Sequence, residues 1–247
     1  MERGSHIALA DVKLDIAGSS SGNISTDKQS PSKTLSTYSA CVTGIDLVNH
    51  VLIIFMTGLT LWYAFQSSRV MELHVSLCTV GYILLMSEAI VVLAGESVLT
   101  NFLSRRAKDH VHWILQVLGV ICNIAGVYFM YEVKKVHFRS IHAILGLASL
   151  ILMIPLTVLG YPVLVAVKLR KLIRPVIVKF GHNLVGTLCF VLGMASQCYG
   201  YKMRWIANAS DIPNVQLLTI IATALITVLS VRGSLPTLCV QLRAIFR

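Results

Sequence analysis

Apolar residues cluster into six long runs, at about 44–66, 72–94, 111–131, 141–161, 181–200 and 215–235, separated by short polar stretches. Each run is long enough to cross a hydrocarbon core of roughly 30 Å at about 1.5 Å of helix rise per residue. The pattern predicts an all-α membrane bundle of six transmembrane helices. Because the connections are short, helices consecutive in sequence should be antiparallel neighbours. Ahead of the first run the chain changes character. The stretch Gly18–Asn23 and the Ser/Thr/Lys/Pro segment up to Thr37 hold too little apolar surface to order themselves. No basic segment there leads into an apolar one, so this is not a signal peptide. The expected organisation is a disordered tail over 1–40, one transmembrane domain over 41–240 and a short tail over 241–247.

Composition agrees with lipid as the main solvent. Of the 247 residues 55% are hydrophobic and only 13% charged, against about 25% charged in soluble domains, and the mean hydropathy is +0.75. A formal charge of +10 could suggest nucleic acid. The basic residues fall between apolar runs, however, which favours lipid headgroups and small anions as partners. They are also unequally shared. Fifteen of the 21 Lys and Arg residues lie in the N-terminal stretch, around Arg105–Lys108, in the segment Lys168–Lys179, and from Arg232 onward; six lie at Arg69, Lys134, Lys135, Arg139, Lys202 and Arg204. The richer side should be cytosolic, which places both termini in the cytosol. Six cysteines show neither CxxC nor CxxCH spacing, so no disulfide framework, zinc site or covalent haem attachment is expected.

Ionisable residues inside membrane spans are rare and usually functional. Four successive runs each carry a histidine near their start: His74, His112, His142 and His182. Alternating helix direction puts His74 and His142 at one depth and His112 and His182 at another. Two facing imidazoles at each of two depths suit two bis-histidine haems b, non-covalently bound. Glycines share a face with each histidine, Gly146 and Gly186 at i+4, Gly81 and Gly119 at i+7. They could leave room for a macrocycle edge, or allow close helix packing.

These residues have a family likeness. Leu73-His74 with Leu85-Met86-Ser87-Glu88-Ala89, His112-Trp113-Ile114-Leu115-Gln116, Lys135-Val136-His137-Phe138 leading to His142, and His182 with Gly186 and Gly193 resemble the cytochrome b561 family, in its short stand-alone branch. His50, 24 residues before His74, fits that branch as well. The likeness covers roughly residues 45–235. It implies a four-helix bis-haem core flanked by the first and last helices. It also implies a transmembrane ascorbate-dependent reductase, with His112 and His182 holding the cytosolic-side haem and His74 and His142 the luminal-side haem. Acceptors in the family are monodehydroascorbate and ferric chelates.

Ascorbate is an anion, so basic residues near the haems are the substrate candidates: Arg106, His110 and Lys179 on the cytosolic side, and Lys135, His137 and Phe138 on the luminal side. The other use for each is a headgroup anchor. No catalytic residue beyond the haem ligands is expected. Glu88 could relay a proton or join the bundle to His50. The alternative readings are a haem-binding membrane anchor that hands electrons to a partner protein, and a haem-free transporter. Residence in an endomembrane or the plasma membrane fits, and a homodimer is compatible with the sequence.

Overall fold

The computed structural model describes residues 31–93, 99–164 and 174–247. Six of its helices are long and apolar enough to cross a membrane. In chain order the elements are α1 (Pro31–Ala64), α2 (Arg69–Val91), α3 (Arg105–Val133), α4 (Ile141–Leu164), α5 (Pro175–Tyr201), the short α6 (Arg204–Asn208), α7 (Val215–Val231) and α8 (Ser234–Ile245). No strand occurs among the described residues.

Local chemistry sets the helix starts. Ser104 caps α3 by accepting from the Ala107 amide at 3.2 Å, and Ser140 does the same for Ala143 at the head of α4. Pro175 opens α5, where a missing N–H costs nothing. Two helices run past their expected limits. The first begins at Pro31, inside the stretch expected to be tail, and α8 stays helical to Ile245, where Arg174 donates to the carbonyls of Ala244 and Ile245. Residues 1–30 lie outside the described residues.

Spans α2 to α5 form the centre, with α1 packed on α2 and α7, and α7 on α5. The outer surface is apolar, with Trp62 68% and Val158 69% exposed. Polar groups such as Asp46, Asn49, His50, Ser149 and Ser196 are buried instead. A helix bundle in lipid is arranged this way, since hydrocarbon neither repels an apolar face nor satisfies a polar one. Midway along α2, residues Thr79–Met86 are π-helical. Here α2 is gripped most closely: the Tyr82 ring lies on Gly193 of α5, and a Cβ at Gly126 of α3 would come within 2.8 Å of Cys78 Sγ. Tyr82 Oη donates to Ser149 Oγ, which donates to the Cys189 carbonyl, so these two hydroxyls at the bundle centre are satisfied.

The bundle has two ends. Face A carries the starts of α3 and α5 and the end of α7; face B carries the starts of α2, α4 and α7.

Candidate functional site

Four helices each bring one imidazole inward, within about two turns of a start. At face B the rings of His74 and His142 stand 5.9 Å apart, centroid to centroid, at 89°. At face A those of His112 and His182 stand 6.5 Å apart at 74°. The two pairs derived from helix direction are therefore the pairs that meet in space.

Backbone carbonyls hold three of the four rings. His74 Nδ1 lies 2.8 Å from the Gly126 carbonyl, His142 Nδ1 2.8 Å from that of Ser196, and His112 Nδ1 2.6 Å from that of Ala89. A carbonyl only accepts, so Nδ1 of each ring must carry the hydrogen, and Nε2 keeps its lone pair. This is how a metal-binding imidazole is oriented, with its second nitrogen tied to the protein. The fit to an iron between the rings is direct. With metal–nitrogen bonds of about 2.0 Å, the centroids of two axial imidazoles sit about 6 Å apart. Among the described residues no group of three or more His, Cys, Asp or Glu side chains forms a metal site. A bare ion would find two protein donors here, whereas haem brings four nitrogens of its own. Both pairs fit a bis-histidine haem.

The His112–His182 pair opens into a cavity of about 860 Å³ lined by α1 to α5, α7 and α8. Trp113 is part of its wall, and its indole Nε1 is buried with no hydrogen bond, a donor left over for a polar occupant. Arg105, Asp109, Lys179 and Arg232 bring charge to the lining, and Asn183 and Gln241 bring amides. Arg105 and Asp109 form an ion pair of 3.6 Å.

The structure places the expected substrate residues unevenly. Lys179 lines the cavity. Arg106 and His110 are exposed and are not among its lining residues; Arg105 and Asp109 occupy that position. Helix periodicity gives the reason. Arg105, Asp109, His112 and Gln116 are spaced to share one face of α3, while Arg106 and His110 are turned away from it. At face B, Lys135 is exposed, and His137 stacks on Tyr131 at 4.0 Å and 21° with Phe138 beside them, its φ at 52°.

The glycines divide in the same way. Gly186 has open space where a Cβ would be, and it lines the cavity. Gly81, Gly119 and Gly146 instead face close neighbours: Asn123, the Gly81 carbonyl at 3.2 Å and Ser196 Oγ at 3.0 Å respectively. At those three positions close packing explains the glycine, and room for a macrocycle does not. Two glycines with no place in the sequence argument do approach the histidines. A Cβ at Gly200 would sit 3.2 Å from His142 Cε1, and one at Gly160 3.8 Å from His182 Cε1. Arg105, Asp109, Ser196 and Tyr131 are not among the sequence candidates either. The i−7 and i−3 spacing before His112 is the signal that could have found Arg105 and Asp109.

The family model described as eukaryotic cytochrome b561 matches residues 73–208, a segment that contains all four paired histidines. A human protein named transmembrane reductase CYB561D2 is 27% identical over 172 residues, which is 68% of this chain and 77% of the relative. The bovine protein of the same name is 28% identical over 160 residues, covering 63% and 72%. No solved structure matches the chain.

Proposed function

The chain belongs to the eukaryotic cytochrome b561 family, and on that premise we propose that it carries electrons from cytosolic ascorbate, through two b-type haems, to an acceptor on the other side of its membrane. Membership makes it a multi-pass membrane cytochrome with b-type haem, acting in transmembrane electron transfer. The finer reading rests on one observation above all: two imidazole pairs, 5.9 and 6.5 Å apart, one near each end of a six-span bundle.

Haem supplies one-electron ferric–ferrous chemistry when bound. His112 and His182 would hold one haem at face A, and His74 and His142 the other at face B. Held by two histidines, each haem would be suited to electron transfer rather than to oxygen chemistry. The protein's part is placement. Fifteen residues of α2 separate His74 from Ala89, which holds His112, so the layers are on the order of 20 Å apart along the helix. The Nδ1 ties keep the rings of His74, His112 and His142 from turning, and the apolar exterior keeps the layers in the membrane.

Face A is read as cytosolic from the surplus of Lys and Arg on that side. Its cavity lining offers Arg105 and Lys179 to an anion, and charge-assisted hydrogen bonds of that kind are stronger than neutral ones. At face B the acceptor, monodehydroascorbate or a ferric chelate, would meet Lys135, His137 and Phe138, together with Tyr131.

The test uses sealed vesicles loaded with ascorbate, with face A inward. External ferricyanide or ferric chelate should be reduced, and His74→Ala should stop it. If intact vesicles containing haem-loaded protein passed no electrons, the reading as a haem-binding subunit for a partner protein would replace this one.

A further inference from the structure

The cavity at the His112–His182 pair offers cations to an anion, yet two of its lining residues are carboxylates, Asp46 and Asp109. A negative charge beside an incoming anion repels it, so each carboxylate needs a reason to be there. Asp46 has one. Arg232 donates to its Oδ1 at 3.1 Å, and His50 Nε2 stands 3.3 Å from its Oδ2. Glu88 of α2 lies 2.8 Å from the other nitrogen of His50. Asp46, only 1% exposed, thus joins α1 to the end of α7 and, through His50, to α2.

Asp109 is held far more loosely. Its charged partner is Arg105, whose Nε stands 3.6 Å from Oδ1, beyond hydrogen-bond reach. Arg105 also donates through Nη1 to the Leu93 carbonyl at 3.4 Å. The two side chains of the pair are 71% and 34% exposed, and ion pairs so open to water contribute little. Holding Arg105 is therefore a weak reason for a carboxylate at this place. Its position suggests a better one. Arg105, Asp109, His112 and Gln116 follow one face of α3 inward, and all four line the cavity. Asp109 stands one turn outside the His112 ring, about 5 Å along the helix axis. An anion seated by Arg105 and Lys179 shares that space with it.

The proposed donor needs a base there. Ascorbate monoanion loses one electron and one proton as it becomes the monodehydroascorbate radical anion. Arg105, Lys179 and Arg232 are cations with no lone pair to offer. His112 directs its Nδ1 hydrogen at the Ala89 carbonyl, and the remaining nitrogen of the ring is the one free for iron. Asp46 faces a cationic or imidazole partner at each oxygen. Amides and hydroxyls in the lining are far weaker bases than a carboxylate.

We propose that Asp109 is the general base that takes the proton released by the donor at face A, a role that rests on the reading of ascorbate as that donor. The donor's O–H bond breaks as an O–H bond to the Asp109 carboxylate forms. The single electron passes to the ferric haem of the His112–His182 pair, which is the oxidant of the step. Asp109, partly open to water, then gives the proton up at face A and is ready for the next donor.

A base and a mere charge partner of Arg105 predict different results in stopped-flow reduction of the haem-loaded protein. Two reductants are compared. Ascorbate releases a proton with its electron, whereas dithionite, acting through the sulfur dioxide radical anion, releases none. Asp109→Asn should lower the limiting rate with ascorbate on the order of 100-fold, the scale of general acid–base catalysis. The dithionite rate should hold or rise, because a negative charge has left an anion site. Asp109→Glu should recover most of the ascorbate rate, and Asp109→Ser replaces Asp109→Asn should the latter lose haem. Labelled ascorbate should bind the previously reduced Asp109→Asn protein at least as tightly as the reduced wild type, a measurement without turnover. In the wild type the ascorbate limiting rate should fall in deuterium oxide and the dithionite rate should not. Equal losses with both reductants would make Asp109 structural and overturn the proposal. So would an unchanged ascorbate rate, weaker ascorbate binding that accounts for the loss, or an ascorbate rate insensitive to deuterium oxide. The donor reading fails separately, if dithionite reduces the wild type and ascorbate does not.

Discussion

The two imidazole pairs are built alike and set in different surroundings. At face B both rings are tied across to the backbone of a neighbouring span: His74 of α2 to Gly126 of α3, and His142 of α4 to Ser196 of α5. Ser196 Oγ adds a second clasp, 3.1 Å from His142 Nδ1 and 2.8 Å from the His142 carbonyl. At face A, His112 is tied to Ala89 of α2, and the pair opens on the large charged cavity that reaches α7 and α8. The same pair of side chains thus sits once among close backbone contacts and once beside space lined with charge. Coordination geometry alone does not distinguish a donor side from an acceptor side. What surrounds the ring does.

The largest test of the comparison removes ligands. His112→Ala and His182→Ala should each lose the same haem, and His74→Ala and His142→Ala the other, with a pyridine haemochrome assay falling from two haems per chain to one. Transmembrane electron flow should vanish in all four. If the His74 and His112 variants gave the same residual spectrum, the pairing by depth would be wrong.

A steric change should separate the layers next. Gly200→Val crowds His142, against which even a Cβ would sit at 3.2 Å, so it should cost about 1–3 kcal/mol of overpacking and disturb the face B haem alone. Gly160→Ala meets Trp113 and His182 at ordinary contact distances of 3.5 and 3.8 Å, and should leave the face A spectrum unchanged. Equal disturbance by the two would mean that the layers are packed alike.

Charge should matter at face A and not through binding of haem. Arg105→Gln with Lys179→Gln should slow ascorbate-driven reduction on the order of tenfold, comparable to the loss of one charged hydrogen bond. Both haems should remain. The effect should be greater at low ionic strength, since exposed charges are screened within about 8 Å at physiological salt. Arg106→Gln, one position away on α3, should be silent. Stopped-flow reduction of the two variants side by side decides between them, and an equal effect would show that the cavity lining does not select the donor contact.

The smallest expected change is Ser196→Ala. The variant removes the hydroxyl clasp but keeps the carbonyl that orients His142, so stability should fall by about 1 kcal/mol with both haems bound. Loss of the face B haem in this variant would move the orienting role from the backbone to the side chain.

Much of this was legible in the chain itself. A bilayer demands about 20 consecutive apolar residues per span, so the six runs were unambiguous, and alternation of direction was enough to sort four histidines into His74 with His142 and His112 with His182. Element ends were less so: helix continues through Pro31–Ala40 and through Gln241–Ile245, and at the second of these Arg174 donates to the Ala244 and Ile245 carbonyls from a distant part of the chain. The roles of glycine were decided by partners far away in sequence. Gly81, Gly119 and Gly146 face other helices, whereas Gly186 faces open space, and spacing from a histidine cannot say which. The same holds for Asp46, His50, Glu88 and Arg232, which lie on three spans and become one cluster only when α1 and α7 close on α2. Hydrophobic length and helix direction are properties of one strand of sequence. Contact between helices is not, because it depends on how each one is rotated about its axis, and that is settled by packing against neighbours the local sequence does not contain.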